Sequence, residues 1–292
     1  MKNFFLRLHW LDIVILAVVL GFFAYVFLQM GGNLKYHWRW EKIPNYIVKY
    51  HTGKEKWIIN LLLIGLFNTI RICIVASILA IILGVFLGIA RCSKNLAIRM
   101  LARTYLEILR NIPPLVIIFI FYFFLAEQFI QALNIEAWSY KIAKQENNQF
   151  WEFIFGDMRR FPSLISGIIV LALFESAFVG EIVRAGIESV DRGQREAARS
   201  IGMGSFQELR YIVLPQAMRK IMPPMANQFI TLIKDSSIIS LISVQELTYK
   251  TQALVSSTRL VFEAWLTTAA FYFIICYGLS VLFRRLENNK EN

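Results

Sequence analysis

The stretch EAARSIGMGSFQELRYIVLP, Glu196 to Pro215, decides how this chain is read. It is polar and rich in turn signals, yet it lies between long apolar runs. Gln194 to Ile201 is a helix-forming run in which Ala197 and Ile201 stand four apart and share a face. Ala197 and Ala198 are small and let another backbone come close. Gly202 and Gly204 bracket a turn, where a positive φ is accessible. Ser205 and Glu208 have capping-box spacing for a second helix. Phe206, Leu209 and Val213 form one apolar stripe along it, and Pro215 predicts its end. The stretch therefore predicts a helix–turn–helix knob that projects from a bundle. A plain connector needs only a few residues and no paired apolar faces.

The rest of the chain says what the knob projects from. Of 292 residues, 57% are hydrophobic and only 17% are charged, which places the chain in the membrane class. The net charge of +11 is scattered among apolar runs, as basic loops beside anionic lipid would be, and forms no patch suited to nucleic acid. Cys73, Cys92 and Cys276 have neither metal-ligand spacing nor a disulfide pattern. His9, His37 and His51 are all N-terminal and lack acidic or cysteine company. With no nucleophile motif, phosphate-binding glycine loop or metal cluster, no catalytic and no metal-binding residue is expected. If ATP is used, another chain binds it.

Six spans are predicted: Trp10 to Met30, Trp57 to Ala90, Tyr105 to Leu133, Phe161 to Val183, Ile221 to Tyr249 interrupted by KDSS, and Val261 to Phe283. The first reads as a retained helix, because it is long and no small-x-small site ends it. Residues 31–56 are polar and aromatic and suit a membrane surface, and residues 134–160 form a second polar insertion. Lys and Arg flank the spans most tightly on the side of both termini, which predicts cytoplasmic termini and a cytoplasmic knob.

The knob also resembles the coupling motif of ABC importer permeases: Glu-Ala-Ala, three residues, Gly, nine residues, Ile-x-Leu-Pro. Glu196, Ala197, Ala198, Gly202, Ile212, Leu214 and Pro215 fill the fixed positions. ILRNIPPLV at 108–116, GEIVRAGIESV at 180–190 and LPQAMRKIMPPMANQFITLIKDSSIISLISVQEL at 214–247 look like the polar amino-acid (histidine/glutamine-type) branch of that family. The resemblance covers about residues 57 to 285. It implies an all-α integral membrane protein of the type I (MetI-like) importer permease fold, with about six transmembrane helices in a bacterial inner membrane. It divides the chain into an extra helix with an extracytoplasmic interfacial segment at 1–56, a permease core at 57–285 with its coupling loop at 191–216, and a cytoplasmic tail at 286–292. It further implies three partners: an ATPase subunit gripping the coupling loop, an extracytoplasmic amino-acid-binding protein, and a second permease copy or paralogue. This chain would bind no cofactor, ATP and magnesium residing on the ATPase.

Charges inside spans need a partner, a cavity or the membrane surface. Lys234 and Asp235 stand mid-span, and adjacent residues do not face each other on a helix. Either each has its own partner or the helix breaks there, with Ser236 and Ser237 able to cap a half-helix. Two roles are open for the pair, an interhelix network and a pathway lining. Glu175 has three candidate partners: a cargo ammonium group, Lys234 and Arg71. Glu181, three residues from Arg184, fits a boundary ion pair or the pathway. Arg110, followed by Asn111, Pro113 and Pro114, suits either a carboxylate or the membrane surface. A cavity holding both Arg110 and Glu175 would match the two ends of a zwitterion.

Overall fold

The computed structural model describes residues 10–33, 36–51, 55–145 and 149–291. Lys2, Arg7 and His9 lie outside them. The chain divides into two units, the first ending at Trp40 and the second running from Glu41. In the first, helix α1 (Trp10–Asn33) is followed by an aromatic ladder, Tyr36 edge-on to Trp38 and Trp38 stacked on Trp40.

The second unit is built on two long helices, α3 (Leu61–Arg91) and α9 (Phe161–Glu188), preceded by the one-turn helix α2 (Ile43–Ile47) and an antiparallel ribbon, β1 (Val48–His51) with β2 (Lys56–Ile59). Between lipid-exposed helices no water is expelled, so association rests on close packing. The sequence of α3 supplies it. Gly65, Thr69 and Cys73 are spaced by fours, as are Ala76, Ala80, Gly84 and Gly88, and all are buried. A methyl group added at Gly84 would lie 2.4 Å from Val179 and 3.0 Å from the backbone nitrogen of Gly180. α9 is thereby held backbone-close along the stripe and forms the buried centre of the unit, with Ile168, Val170, Leu171 and Phe174 almost wholly covered.

Around this pair run α4 (Leu96–Asn111), α5 (Pro114–Phe121), a π turn (Tyr122–Ala126), α6 (Glu127–Ala132), α12 (Leu214–Asp235), α13 (Leu247–Thr258) and α14 (Val261–Glu291). Asn95 caps α4, its Oδ1 accepting from the backbone of Ala97 at 2.9 Å. Ala102, Leu106 and Leu109 are its buried face. α4 stops before Pro113, and Pro114 starts the next helix, where a missing N–H costs nothing. The third span therefore begins at Pro114 and not near Tyr105.

Among the described residues four helical stretches are long and apolar enough to cross a membrane: Leu61–Arg91, Pro114–Ala132, Met158–Glu188 and Val261–Leu286; Trp10–Tyr25 is a shorter apolar helix. The stretch from Ile221 to Tyr249 is interrupted at KDSS, as the sequence predicts. α12 ends at Asp235, a 3₁₀ segment follows (Ser236–Ile242), and Ser243 turns the chain at φ 63°. Ser236 does not cap a half-helix; its hydroxyl donates back to the Ile233 carbonyl at 2.7 Å. The cap of the outgoing helix is Glu246, whose carboxylate accepts from the backbone of Thr248 at 2.8 Å and Tyr249 at 2.7 Å and from the Tyr272 hydroxyl at 2.9 Å.

The described residues of the insertion, 134–145 and 149–160, gather around an aromatic cluster. α7 (Ile135–Ala143) and α8 (Gln149–Phe155) bring Trp138, Trp151 and Phe155 onto Phe161 at the start of α9, with ring centroids 5.1–5.5 Å apart for the Trp138–Trp151, Trp138–Phe161 and Phe155–Phe161 pairs. Arg71 of α3 donates to the Phe153 carbonyl at 2.8 Å and to Asn68 at 3.1 Å. An arginine inside a span is thus satisfied by the carbonyl end of a short helix.

The central contact makes a direct test. Gly84→Ala should destabilise the protein by about 1–3 kcal/mol through overpacking, and adding Val179→Ala should restore part of the loss. Thermal unfolding in lipid nanodiscs reads both.

Candidate functional site: a projecting elbow and a polar interior

The elbow begins with α10 (Arg192–Ser200), capped by Asp191 through its Oδ1 and the Gly193 backbone at 2.7 Å. It closes as Gly202 and Met203 donate to the carbonyls of Arg199 and Ala198 at 3.0 and 3.1 Å. That closure needs a left-handed residue, and Gly202 has φ 83° with open space where a side chain would point. Glycine is required there for its backbone alone. The second arm starts with α11 (Ser205–Gln207). Its capping pair differs from the expected one: the Gly204 backbone donates to Gln207 Oε1 at 3.0 Å. Glu208 instead receives Arg199 from across the turn, with Nε–Oε2 at 2.8 Å and Nη2–Oε1 at 3.2 Å. This two-toothed latch fixes the angle between the arms. The hydrogen bonds from Arg199 hold the Glu208 carboxyl below its ordinary range and push the guanidinium further up. The latch therefore stands above the ordinary carboxylate range and is lost only as pH falls through the depressed value.

The second arm does not end at Pro215. A π turn (Glu208–Val213) leads straight into α12, and Pro215 sits in the first turn of that helix, where its missing donor is harmless. The expected apolar stripe is also split. Val213 is buried with Leu209 beside it, whereas Phe206 points outward at 71% exposure. Ala198 is buried under the turn, and Ala197, Ile201, Phe206 and Tyr211 are exposed. Glu196 pairs with Arg192 at 3.2 Å on the exposed side. Ile212 and Leu214 are half-buried, and Pro215 is exposed. Lys94 reaches Ser205 Oγ at 2.9 Å and Arg195 donates to the Ile187 carbonyl, so both arms are tied to the bundle.

Deeper in the bundle, Glu181 is a hub. Arg184 binds it at 2.5 Å, Arg91 from the end of α3 at 3.0 Å, and Arg110 from the end of α4 at 3.5 Å. Three elements are joined through one carboxylate. The carboxylate that Arg110 meets is thus Glu181. Asn111 donates to the Glu107 carbonyl at 2.7 Å and stays on the surface. Glu175 lies six residues from Glu181, about 9 Å along α9 by helical rise. The structure does not bring Arg110 and Glu175 into one cavity. Nor does Glu175 meet Lys234 or Arg71. It is fully buried, Gln228 Nε2 donates to its Oε2 at 2.6 Å, and among the described residues its Oε1 has no hydrogen-bond partner. Lys234 is exposed.

Sequence reading passed over Gln228, Glu246, and the pairing of Arg199 with Glu208. Opposite charges on either side of Gly202 and Gly204, Arg199 before and Glu208 after, are the signal that would have found the latch. Nothing in the local sequence singles out Gln228.

A bundle of apolar helices, with acidic groups in its interior and a stiff elbow at one end, is the build of a membrane transport permease. Comparisons with known proteins narrow this. Residues 80–291 match the family model described as "Binding-protein-dependent transport system inner membrane component". The chain is 32% identical over 227 residues to a probable glutamine ABC transporter permease protein of Bacillus subtilis (strain 168), covering 78% of this chain and 92% of that one. It is 29% identical over 233 residues to the glutamine transport system permease protein of Escherichia coli (strain K12), covering 80% and 94%. A crystal structure of an amino acid ABC transporter with histidines superimposes at a TM-score of 0.62 with 31% identity, covering 78% of this chain and 94% of that chain. An inward-facing methionine ABC transporter shares the fold at a TM-score of 0.58 and 17% identity, covering 78% and 95%.

The chain belongs to the family of binding-protein-dependent transport system inner membrane components. It has the all-α type I importer permease fold, and it is a multi-pass inner-membrane transport subunit.

The hub and the latch make separable predictions. Glu181→Gln leaves three arginines facing one another and should cost about 1–3 kcal/mol, read as a lowered Tm in nanodiscs. Arg199→Ala should leave the bundle's Tm nearly unchanged and loosen the elbow, by loss of a charge-assisted pair. Faster amide hydrogen exchange at residues 200–208 measures that loosening.

Proposed function

We propose that the chain is the permease subunit of an ATP-driven importer for polar amino acids. A separate ATPase subunit grips the elbow at Glu196, Ala197, Ala198, Gly202, Ile212, Leu214 and Pro215. An extracytoplasmic binding protein delivers the cargo, and a second copy or a paralogue completes the pathway. The chain itself binds no cofactor; ATP and magnesium belong to the ATPase. Both termini and the elbow face the cytoplasm.

The observation that carries this reading is the elbow's surface. Ala197, Ile201, Phe206 and Tyr211 are all exposed on a rigid, latched support. Apolar groups held out into water on a stiff scaffold are suited to a protein partner. The relatives' names, glutamine and amino-acid permeases, supply the cargo class. Of the interior residues, Glu175 and Asp235 belong to the pathway, whereas Glu181 and Arg110 hold its cytoplasmic end together.

Proteoliposomes carrying this chain, the neighbouring-gene ATPase and the binding protein should accumulate one or more labelled polar amino acids only when ATP is supplied. Ala197→Glu should abolish uptake and ATPase attachment together. Uptake without ATP would indicate a stand-alone transporter, and ATPase attachment without any uptake a scaffold.

A further inference from the structure

At the end of the bundle away from the elbow, a cavity of about 80 Å³ lies between the insertion and α3. Its polar lining is Asn68 and Arg71 of α3, Asp157 and Arg160 just before α9, Ser163 of α9, and Gln245 just before α13. The charges around it do not balance. Gln245 Oε1 accepts from Lys250 Nζ at 2.7 Å and also from Arg160 Nη1, so two cations converge on one neutral oxygen. Lys250 is buried. Burial, and then the charge of Arg160, push its ammonium group down from the ordinary value, with Asp157 working the other way. Arg71 donates to Asn68 and to the Phe153 carbonyl, but no carboxylate among the described residues pairs with it. Asp157, 3.5 Å from Arg160, is the one carboxylate paired with any of these three cations among the described residues. The loop leaves room for the Arg71 guanidinium only because residue 156 is glycine: it turns at φ 78°, and a methyl group there would lie 2.7 Å from Arg71 Nη1.

The position of the cavity says what kind of anion fits it. Arg71 stands about 30 Å along α3 from Arg91 by helical rise, the thickness of a bilayer's hydrocarbon layer. Its guanidinium therefore lies at the level of lipid headgroups. Phe67, Arg71, Ile74 and Ile78 share one face of α3 by their spacing. The three apolar members are exposed, on the side opposite the small-residue stripe that packs on α9. On α8, Phe150 and Phe153 are exposed as well, and it is the Phe153 carbonyl that Arg71 holds. A cationic cavity at headgroup level, rimmed by outward-facing apolar side chains, matches a phosphate that trails acyl chains. A volume of about 80 Å³ is that of roughly two to three liquid waters, room for a phosphate group and not for a whole amino acid.

We propose that this cavity binds the phosphate of an anionic phospholipid through Arg71, Arg160 and Lys250. The two guanidinium groups take the phosphate oxygens through their N–H groups, and Lys250 adds its charge from behind Gln245. The acyl chains lie along the exposed stripe of α3 and against Phe150 and Phe153. An anionic head is preferred because a zwitterionic one carries its own cation into a cavity that already has three. The bound lipid ties α3, the insertion and the start of α13 together. The site does not depend on the importer reading.

Native mass spectrometry of the full chain in detergent, with equal amounts of phosphatidylglycerol and phosphatidylcholine added, tests this. Phosphatidylglycerol should be retained in preference. Arg160 is exposed, so its replacement spares the fold. Arg160→Gln and Lys250→Gln should each cut the preference roughly fivefold, the worth of one basic residue beside anionic lipid. Arg192→Gln, on the elbow, should leave it unchanged. Phosphatidylglycerol with a photoreactive acyl chain should label the peptide that holds Phe150 and Phe153, and label it less in Arg160→Gln. Equal retention of the two lipids, or an unchanged preference in Arg160→Gln, would overturn the proposal and leave only annular lipid. Inorganic phosphate displacing the lipid would overturn it in favour of a soluble anion, and labelling that vanishes when two copies pair would give the face to a second copy.

Discussion

Everything in the second unit depends on how near α9 comes to α3. In lipid the helices gain little by hiding from their surroundings, so the bundle holds only where atoms interlock. The run of small buried side chains from Gly65 to Gly88 brings the Gly180 backbone against Gly84. From that contact follow the burial of α9, the depth at which Glu175 is held, and the convergence of Arg91 and Arg110 on Glu181. Polar groups deep in a bundle survive only when the frame is rigid enough to keep their partners in place.

The polar interior is sorted by position. At the elbow end, charges are matched by charges: Glu181 has three arginines, and Glu208 has one bound through both nitrogens. On the far side of Glu175, charges are matched by backbone instead, Arg71 by carbonyls and Glu246 by amides. Between these zones Glu175 has neither arrangement: Gln228 meets one oxygen, and the other has no partner among the described residues. The elbow end of the bundle is internally balanced, and its middle is not.

Much of this was legible in the sequence. Hydropathy located the four long spans, and the glycines at 202 and 204 located the turn of the elbow. The family resemblance rested on residues that do lie together on the elbow. What escaped had physical causes. Pro113 and Pro114 read alike as breakers, but one ends α4 and the other opens α5, and only the three-dimensional path distinguishes them. Ser236 was a plausible cap by residue type, yet its hydroxyl found a carbonyl three residues back. Pro215 looked like a stop because the π turn before it left no mark in residue type. Arg110 and Glu175 were each correctly seen as unusual. Their partners are set by tertiary contacts, from α9 in one case and α12 in the other, which no local pattern encodes.

The uninterrupted passage from the π turn into α12 has a mechanical meaning. Residues 205 to 235 form one helical shaft, with the outward-facing Phe206 near its first turn and Asp235 at its last. Pro223 and Pro224 give that shaft a built-in flexure near its midpoint. The tip and Asp235 thus sit on one lever that can bend at a single place, with no loop between them.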